Sequence, residues 1–172
     1  PFNDPFSSGA LTNIEIGYFW NEKWGLAFSH TSTNLHDNEA VDQFVSRYGI
    51  YPDHNVSKAQ DFIEGKFVPL YAKMSWLDQK IIYFDMGLTL GLGQAQYTIK
   101  KEEGDETRSS IAIKVGIFQQ IFFSEHLALR VDLNNISSQQ NKMKYRTNSS
   151  NRDLGSSMFN DTQFLVGLTY WH

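Results

Sequence analysis

Six charged residues stand at alternating positions in the chain and are its first candidates for chemistry. They are Glu15, Lys73, Asp85, Lys114, Arg130 and Asp132. Each lies between two apolar residues, so a β-strand would direct all six to the face opposite the apolar side chains. Buried charges are costly unless they are paired, and the set contains three acids and three bases. We therefore predict a salt-bridge network on a shared inner face, with a narrow ion path as the alternative use of these residues.

Two serine–histidine neighbours could in principle serve nucleophilic catalysis. Ser29 precedes His30, and Ser124 precedes Glu125 and His126. Adjacent residues of a strand point to opposite faces, so the partners within each group are poorly placed to act together. We therefore expect no catalytic residue and no enzyme activity.

Composition excludes several other classes of site. The chain has no Cys, and its five His show neither H-x-H nor H-x-x-x-H spacing, so we expect no metal. Gly87, Gly91 and Gly93 lie within a strand pattern rather than before a helix, which argues against a phosphate loop and leaves no cofactor motif. The net charge of −4 comes without a basic block, so nucleic acid is not an expected partner.

The elements that must position these residues are β-strands. Apolar and polar residues alternate in seven segments: 11–20, 24–31, 62–76, 81–93, 111–118, 127–134 and 164–172. Short turns near Asn21, Asp78 and Ser124 alternate with long loops near His36, Gly104 and Asn148. The first of these loops, residues 34–60, contains a helical patch at 39–48. This pattern predicts one all-β domain over 1–172, an antiparallel up-and-down barrel with short turns at one end.

The side chains at the apolar positions of these alternating segments are bulky throughout. Its members are Ile16, Leu26, Phe28, Leu70, Met86, Leu88, Leu90, Val115, Ile117, Leu129, Val131, Val166 and Leu168. A soluble lipocalin-like barrel gives the same alternation with the apolar face turned inward. The polar face of these segments is rich in Gly and carries few charged residues, whereas a surface in water would be expected to carry more of them. We therefore predict that the apolar face meets lipid and that the barrel is transmembrane.

Tryptophans cluster near the short turns, where an interfacial girdle of a membrane barrel would lie. The four residues are Trp20, Trp24, Trp76 and Trp171. The mean hydropathy of −0.41 does not argue against this arrangement, because a membrane barrel has only one apolar face per strand. These positions predict one membrane–water interface at the short-turn end.

These residues give the chain a resemblance to a family of small outer-membrane β-barrel domains of deltaproteobacteria, including predatory species, and more distantly to the OmpA transmembrane domain. The resemblance is carried by N-D-P-F, Y-F-W-N-E-K-W-G, F-V-P-L-Y-A-K-M-S-W, I-I-Y-F-D-M-G-L-T-L-G-L-G and H-L-A-L-R-V-D-L. It implies a bacterial outer-membrane location, outer-membrane lipids as partners, and insertion by the barrel assembly machinery. The terminal F-L-V-G-L-T-Y-W-H resembles the signal that this machinery recognises, but it ends in His172 rather than in an aromatic residue.

Bacterial barrels of this kind have an even number of strands, from about eight upward, so seven strands leave one to be supplied. We expect that eighth strand upstream of Pro1 or, second, from a neighbouring copy. The expected function is a structural outer-membrane barrel with a side-chain-filled lumen, exposed outer loops and self-association into a homo-oligomer. The alternatives are a narrow porin-like channel and, third, a lipid-modifying barrel enzyme.

Overall fold

The computed structural model describes residues 6–76, 80–145 and 153–172, with the side chains of 74–76 and 80–81 outside the description. Seven strands follow one another: β1 Ser7–Phe19, β2 Trp24–Asp37, β3 Asn55–Trp76, β4 Lys80–Ile99, β5 Glu106–Phe122, β6 Leu127–Met143 and β7 Asp153–Tyr170. They form one sheet in chain order, and every neighbouring pair is antiparallel. The predicted all-β, up-and-down architecture is confirmed.

The connections lie at two distinct ends of the sheet. Residues 20–23 and 123–126 make tight turns at one end, which we call the short-turn end. Residues 38–54 and 100–105 connect strands at the opposite, long-loop end. The turn predicted near Asp78 and the loop predicted near Asn148 lie outside the described residues.

The strands are longer than the hydrophobic alternation predicts. β2 continues to Asp37 and β3 begins at Asn55, so the loop predicted over 34–60 shrinks to 38–54. β6 likewise continues to Met143 through a Ser- and Gln-rich stretch. Toward the long-loop end both faces of a strand are polar, so the backbone ladder continues where the hydrophobic period has stopped.

The helical patch predicted at 39–48 is the helix α1, Glu39–Tyr48. Asn38 caps its N-terminus, where the side-chain oxygen accepts a hydrogen bond from the Ala40 amide at 2.9 Å. Gly49 ends it in the left-handed conformation, with φ of 65°, and its amide donates to the Val45 carbonyl. No helix in the described ranges is long and apolar enough to cross a membrane.

A bulge in β3 changes which residues face inward. The register against β4 shifts between Phe67 and Leu70. As a result Val68 is 7% exposed and faces inward, whereas Leu70 is 59% exposed on the outside. Strict alternation would place both residues on one face, but the extra residue of the bulge reverses the parity of the strand beyond it.

The sheet curls until strands that are far apart in sequence touch across its inner face. The Gln163 side-chain amide of β7 donates to the Gln60 side-chain oxygen of β3 at 2.8 Å, and Asn55 of β3 donates to Gln140 of β6 at 3.1 Å. In the described ranges β1 pairs only with β2, and β7 only with β6. The sheet is therefore a partial barrel with one opening between its first and last strands.

Candidate functional site

Glu64 lies at the centre of a charged cluster on the inner face of the sheet. Its carboxylate is fully buried and accepts hydrogen bonds from Lys66 Nζ and Lys114 Nζ, each at 2.6 Å. The Ser29 hydroxyl donates a third hydrogen bond to it. Two ammonium groups and a hydroxyl therefore satisfy an acid that would be costly to bury alone.

A second acid, Glu15 of β1, joins this centre to the far side of the sheet. It accepts from Lys66 Nζ at 2.9 Å and from Arg130 Nη1 and Nη2 at 2.6 and 3.2 Å. The same guanidinium donates to Asp132 through Nε and Nη2. We call these six groups, Glu15, Glu64, Lys66, Lys114, Arg130 and Asp132, the lumen network. Three acids and three bases make its formal charge balanced, and it ties β1, β3, β5 and β6 together.

The lumen network overlaps the predicted set only in part. Glu15, Lys114, Arg130 and Asp132 belong to it, whereas Lys73 and Asp85 do not. Lys73 is exposed near the short-turn end, with Nζ 5.8 Å from the Tyr83 ring centroid. Asp85 is half-buried, and its Oδ1 is buried without a hydrogen-bond partner. Among the described residues, neither side chain forms an ion pair with a member of the lumen network.

Glu64 and Lys66 lie at the middle of the lumen network but were not among the predicted residues. Both share the parity of the buried Phe62, while Ile63 and Phe67 face the other way. The third strand was predicted to begin at Phe62, but its inward residues were chosen only from the alternation beyond residue 67. Applying the same alternation to residues 62–67 is the signal that finds them.

Aromatic rings and glycines shape the space around the network. Phe118 has Lys66 Nζ at 5.4 Å from its ring centroid and Arg130 Cζ at 4.7 Å, close enough for cation–π attraction. The ring occupies the space over Gly87, where an added Cβ would lie 2.3 Å from Phe118 Cζ. At Gly91 an added Cβ would come within 3.2 Å of side-chain atoms of Glu64 and Lys114. The glycines of β4 thus make room for the network rather than for a phosphate.

The serine–histidine neighbours are separated as strand geometry requires. Ser29 faces inward to Glu64, whereas His30 lies outside with Nδ1 2.6 Å from Asp61 Oδ1. Ser124 Oγ accepts from the Leu127 amide at 3.2 Å within a turn, and His126 Nδ1 lies 3.0 Å from the Trp171 carbonyl oxygen. Neither serine has a histidine positioned as its base.

The outward face carries the predicted lipid-facing residues. Eleven of the thirteen are exposed: Ile16, Leu26, Phe28, Leu70, Met86, Leu88, Leu90, Val115, Ile117, Val166 and Leu168. Leu129 and Val131 of β6 are half-buried. Among the described residues, exposed large apolar side chains outnumber buried apolar ones, which inverts the arrangement of a soluble core. We call this exposed outer surface the apolar belt.

The apolar belt ends abruptly toward the long-loop end. On every strand, two consecutive outward-facing residues mark the change: the first is apolar, and the next one toward the long-loop end is polar. The pairs are Ile14 and Thr12, Phe28 and His30, Ile63 and Asp61, Leu92 and Gln94, Ile111 and Ser109, Leu133 and Asn135, and Phe164 and Thr162. The belt therefore has an edge on every strand, although Met158 and Leu154 of β7 are also exposed beyond it, toward the long-loop end.

The predicted tryptophan girdle is incomplete. Trp20 and Trp24 are exposed at the short-turn end, and Trp24 packs on Phe67 at 4.4 Å between ring centroids. Trp171 instead lies half-buried against Phe19, at 5.2 Å, because its parity on the chain after β7 directs it inward. The side chain of Trp76 lies outside the described residues.

A small aromatic group covers the long-loop end. Phe6 packs edge-on against Phe44 of α1, and Tyr51 stacks on Tyr145 at 4.6 Å between ring centroids. The Tyr51 hydroxyl donates to the Asp37 carboxylate. Burial, together with this carboxylate, raises the pKa of the Tyr51 phenol above its usual value. The contacts fasten the first long loop to the rim of the barrel.

Nothing in the described ranges suggests a metal site, since no three His, Asp or Glu side chains are grouped to hold an ion. No family model, curated protein or solved structure matches the chain.

Proposed function

We propose that the protein is a structural outer-membrane β-barrel of a bacterium, with the apolar belt in lipid and the lumen network as its core. The observation that carries this proposal is the inverted distribution of polarity. Glu64, Lys66 and Lys114 are at most 2% exposed inside the sheet, while Leu90, Ile111 and Leu168 are at least 63% exposed outside. In water, an exposed apolar surface of this size would be unfavourable. A lipid environment would solvate the apolar outer face, and ion pairing stabilises the charges buried inside.

The dimensions of the belt support the same proposal. On β4 the outward apolar residues run from Ile82 to Leu92, ten residues apart. At about 3.3 Å per residue this run measures roughly 33 Å along the strand. A tilt of about 40° reduces it to a height of roughly 25 Å, the height of the apolar band of outer-membrane barrels.

The lumen network favours a structural role over an open channel. Arg130 reaches across from β6 to Glu15 of β1, and Lys66 fills the space beside it. Gln60 and Gln163 add a second polar contact nearer the long-loop end. A closed barrel of about eight strands is only wide enough for its side chains to fill, which argues against a wide aqueous path.

Reconstitution into phospholipid vesicles tests the proposal. We expect the purified chain to float with the vesicles after a carbonate wash and to be protected from protease along the belt. The matched control is a Leu88→Asp, Leu90→Asp variant, which changes only the outward face and should no longer float. A wild-type chain that stays soluble, monomeric and folded without detergent would contradict the membrane assignment.

Two further measurements on the reconstituted protein separate the structural role from its alternatives. Planar-bilayer recordings should show no steady conductance, and stepwise currents would favour the narrow channel. Incubation with labelled phospholipid or lipopolysaccharide should return the label unchanged. Release or transfer of an acyl chain would favour a lipid-modifying enzyme.

A further inference from the structure

His54 is a buried histidine at the end of the first long loop, immediately before β3 begins. Its side chain and backbone together are only 8% exposed. The imidazole contacts the rings of Phe6 and Tyr51, with centroid distances of 5.5 and 5.6 Å. Phe6 in turn packs on Phe44 of α1. The imidazole therefore belongs to the group of contacts that hold this loop on the rim of the barrel.

Both ring nitrogens of His54 face oxygen atoms that act as acceptors. Nδ1 lies 3.2 Å from the Pro52 carbonyl oxygen, and Nε2 lies 3.3 Å from Asp37 Oδ1. A carbonyl oxygen cannot donate a hydrogen bond, and neither can an ionised carboxylate. A neutral imidazole has a single N–H and can satisfy only one of these oxygens, whereas an imidazolium donates to both. The geometry therefore favours the protonated ring.

The contact between His54 and Asp37 joins the two ends of the first long loop. Asp37 is the last residue of β2, and His54 is the last residue before β3. The Tyr51 hydroxyl also donates to the Asp37 carboxylate. Two side chains from the end of the loop thus converge on one carboxylate at its beginning. Loss of the imidazolium would leave Asp37 with Tyr51 as its one remaining side-chain partner among the described residues.

We propose that His54 is a pH-sensitive switch for the first long loop. When the imidazole is protonated, its hydrogen bonds to Asp37 and Pro52 hold residues 38–54 against the rim. When it is neutral, one of these contacts is lost and the loop moves more freely. The partner at Asp37 stabilises the protonated form, so the held state is favoured at acidic pH and lost as pH rises through the neutral range.

The other titratable groups around His54 respond in different pH ranges. Tyr51 and Asp53 lie beside it in the loop, and the Tyr145 amide donates to Asp53 Oδ1 at 2.7 Å. Tyr145 also stacks on Tyr51, and Asp105 of the second long loop acts on Tyr51 electrostatically. Carboxylates ordinarily change charge near about pH 4 and phenols near about pH 10, whereas histidine changes charge between them. A response of the loop in the neutral range therefore points to His54.

A spin label on α1 tests the switch. The chain has no Cys, so Ser46→Cys on the exposed side of the helix provides a single attachment site for a nitroxide. Electron paramagnetic resonance of the labelled chain, refolded in mild detergent, reports the motion of the loop. We expect broad lines from a slowly moving label at about pH 5.5 and narrower lines at about pH 8.

Three variants of the labelled chain identify the responsible group. His54→Gln cannot become charged and should abolish the difference between the two pH values. Asp37→Asn keeps an oxygen acceptor for Tyr51 but removes the counter-charge, so it should reduce the difference. His30→Gln is the matched control, because His30 also lies beside a carboxylate, with Nδ1 2.6 Å from Asp61 Oδ1, but on the outer face. It should keep the full difference.

Equal line widths at the two pH values without these variants, or an undiminished difference in His54→Gln, would overturn the proposal. A label at Glu22→Cys in the first short turn should show no difference, and a difference there would mean that pH changes the whole fold rather than the loop. Circular dichroism checks the folding of each variant, and Asp37→Asn provides the test where His54→Gln does not fold. The inference depends on loop contacts and not on membrane location, so its failure and failure of vesicle flotation are separate results.

Discussion

Replacing Glu64 with Gln should destabilise the protein more than any other single neutralisation in the lumen network. The carboxylate is fully buried and lies 2.6 Å from both Lys66 Nζ and Lys114 Nζ. Without its charge Lys66 still has Glu15 at 2.9 Å and Thr89 Oγ1 at 3.2 Å. The described residues offer Lys114 no other carboxylate, so one buried ammonium loses its counter-charge.

The structure allows the cost to be estimated. Removing one partner of a buried ion pair costs about 3–5 kcal/mol in the free energy of unfolding, chiefly because the other charge stays buried. Gln keeps the volume and one hydrogen-bond acceptor, so we expect about 3 kcal/mol for Glu64→Gln. Lys114→Met in addition removes the unmatched charge. The double variant should therefore be more stable than the sum of the single effects predicts, by about 2 kcal/mol.

Urea unfolding of vesicle-inserted protein, followed by tryptophan fluorescence, measures these differences. Glu22→Gln is the matched control, because this acid lies exposed in the first short turn and should cost less than about 0.5 kcal/mol. A cost below about 1 kcal/mol for Glu64→Gln, or strict additivity with Lys114→Met, would refute a buried ion pair at this position.

Three further outcomes are expected from other parts of the molecule. Leu90→Arg on the apolar belt should cost about 2–4 kcal/mol in vesicle unfolding, while Glu103→Arg in a long loop should cost almost nothing; equal costs would argue against lipid contact. Gly87→Val should cost about 1–3 kcal/mol because its side chain would overlap the Phe118 ring, and a gain in thermal stability would contradict this packing. The raised pKa of Tyr51 stabilises the fold fully below the phenol's usual value of 10.0 and less as pH rises beyond it. Melting temperatures at about pH 8 and pH 11 should therefore differ less in Tyr51→Phe than in the wild type, and equal differences would show that the phenol is not linked to folding.

The two-faced strands could be predicted from sequence because the period of a strand is set locally. Successive side chains point to opposite faces whatever lies around them, so Leu88 and Leu90 separate from Gly87 and Thr89 in any sheet. The helix at Glu39–Tyr48 was likewise predictable, since its Asn38 and Gly49 caps are local signals.

The ends of the strands could not be predicted from the alternation of apolar and polar residues. From Thr31 to Asp37 and from Asn55 to Phe62 the backbone ladder continues while the outward side chains are polar. Hydrophobic periodicity reports which solvent each face meets, and it is lost where water lies outside and polar groups lie inside. Only the pairing of one strand with the next reveals that the strand goes on.

What the sequence alone determined is the division of this protein into an apolar face and a balanced, charged inner face. What only the tertiary structure decided is which charges meet. The bulge between Phe67 and Leu70 resets parity in β3, and the curl and register of seven strands bring Arg130 to Glu15 across 115 residues of sequence. Distance across a curled sheet depends on every register between the two strands, and no single segment contains that information.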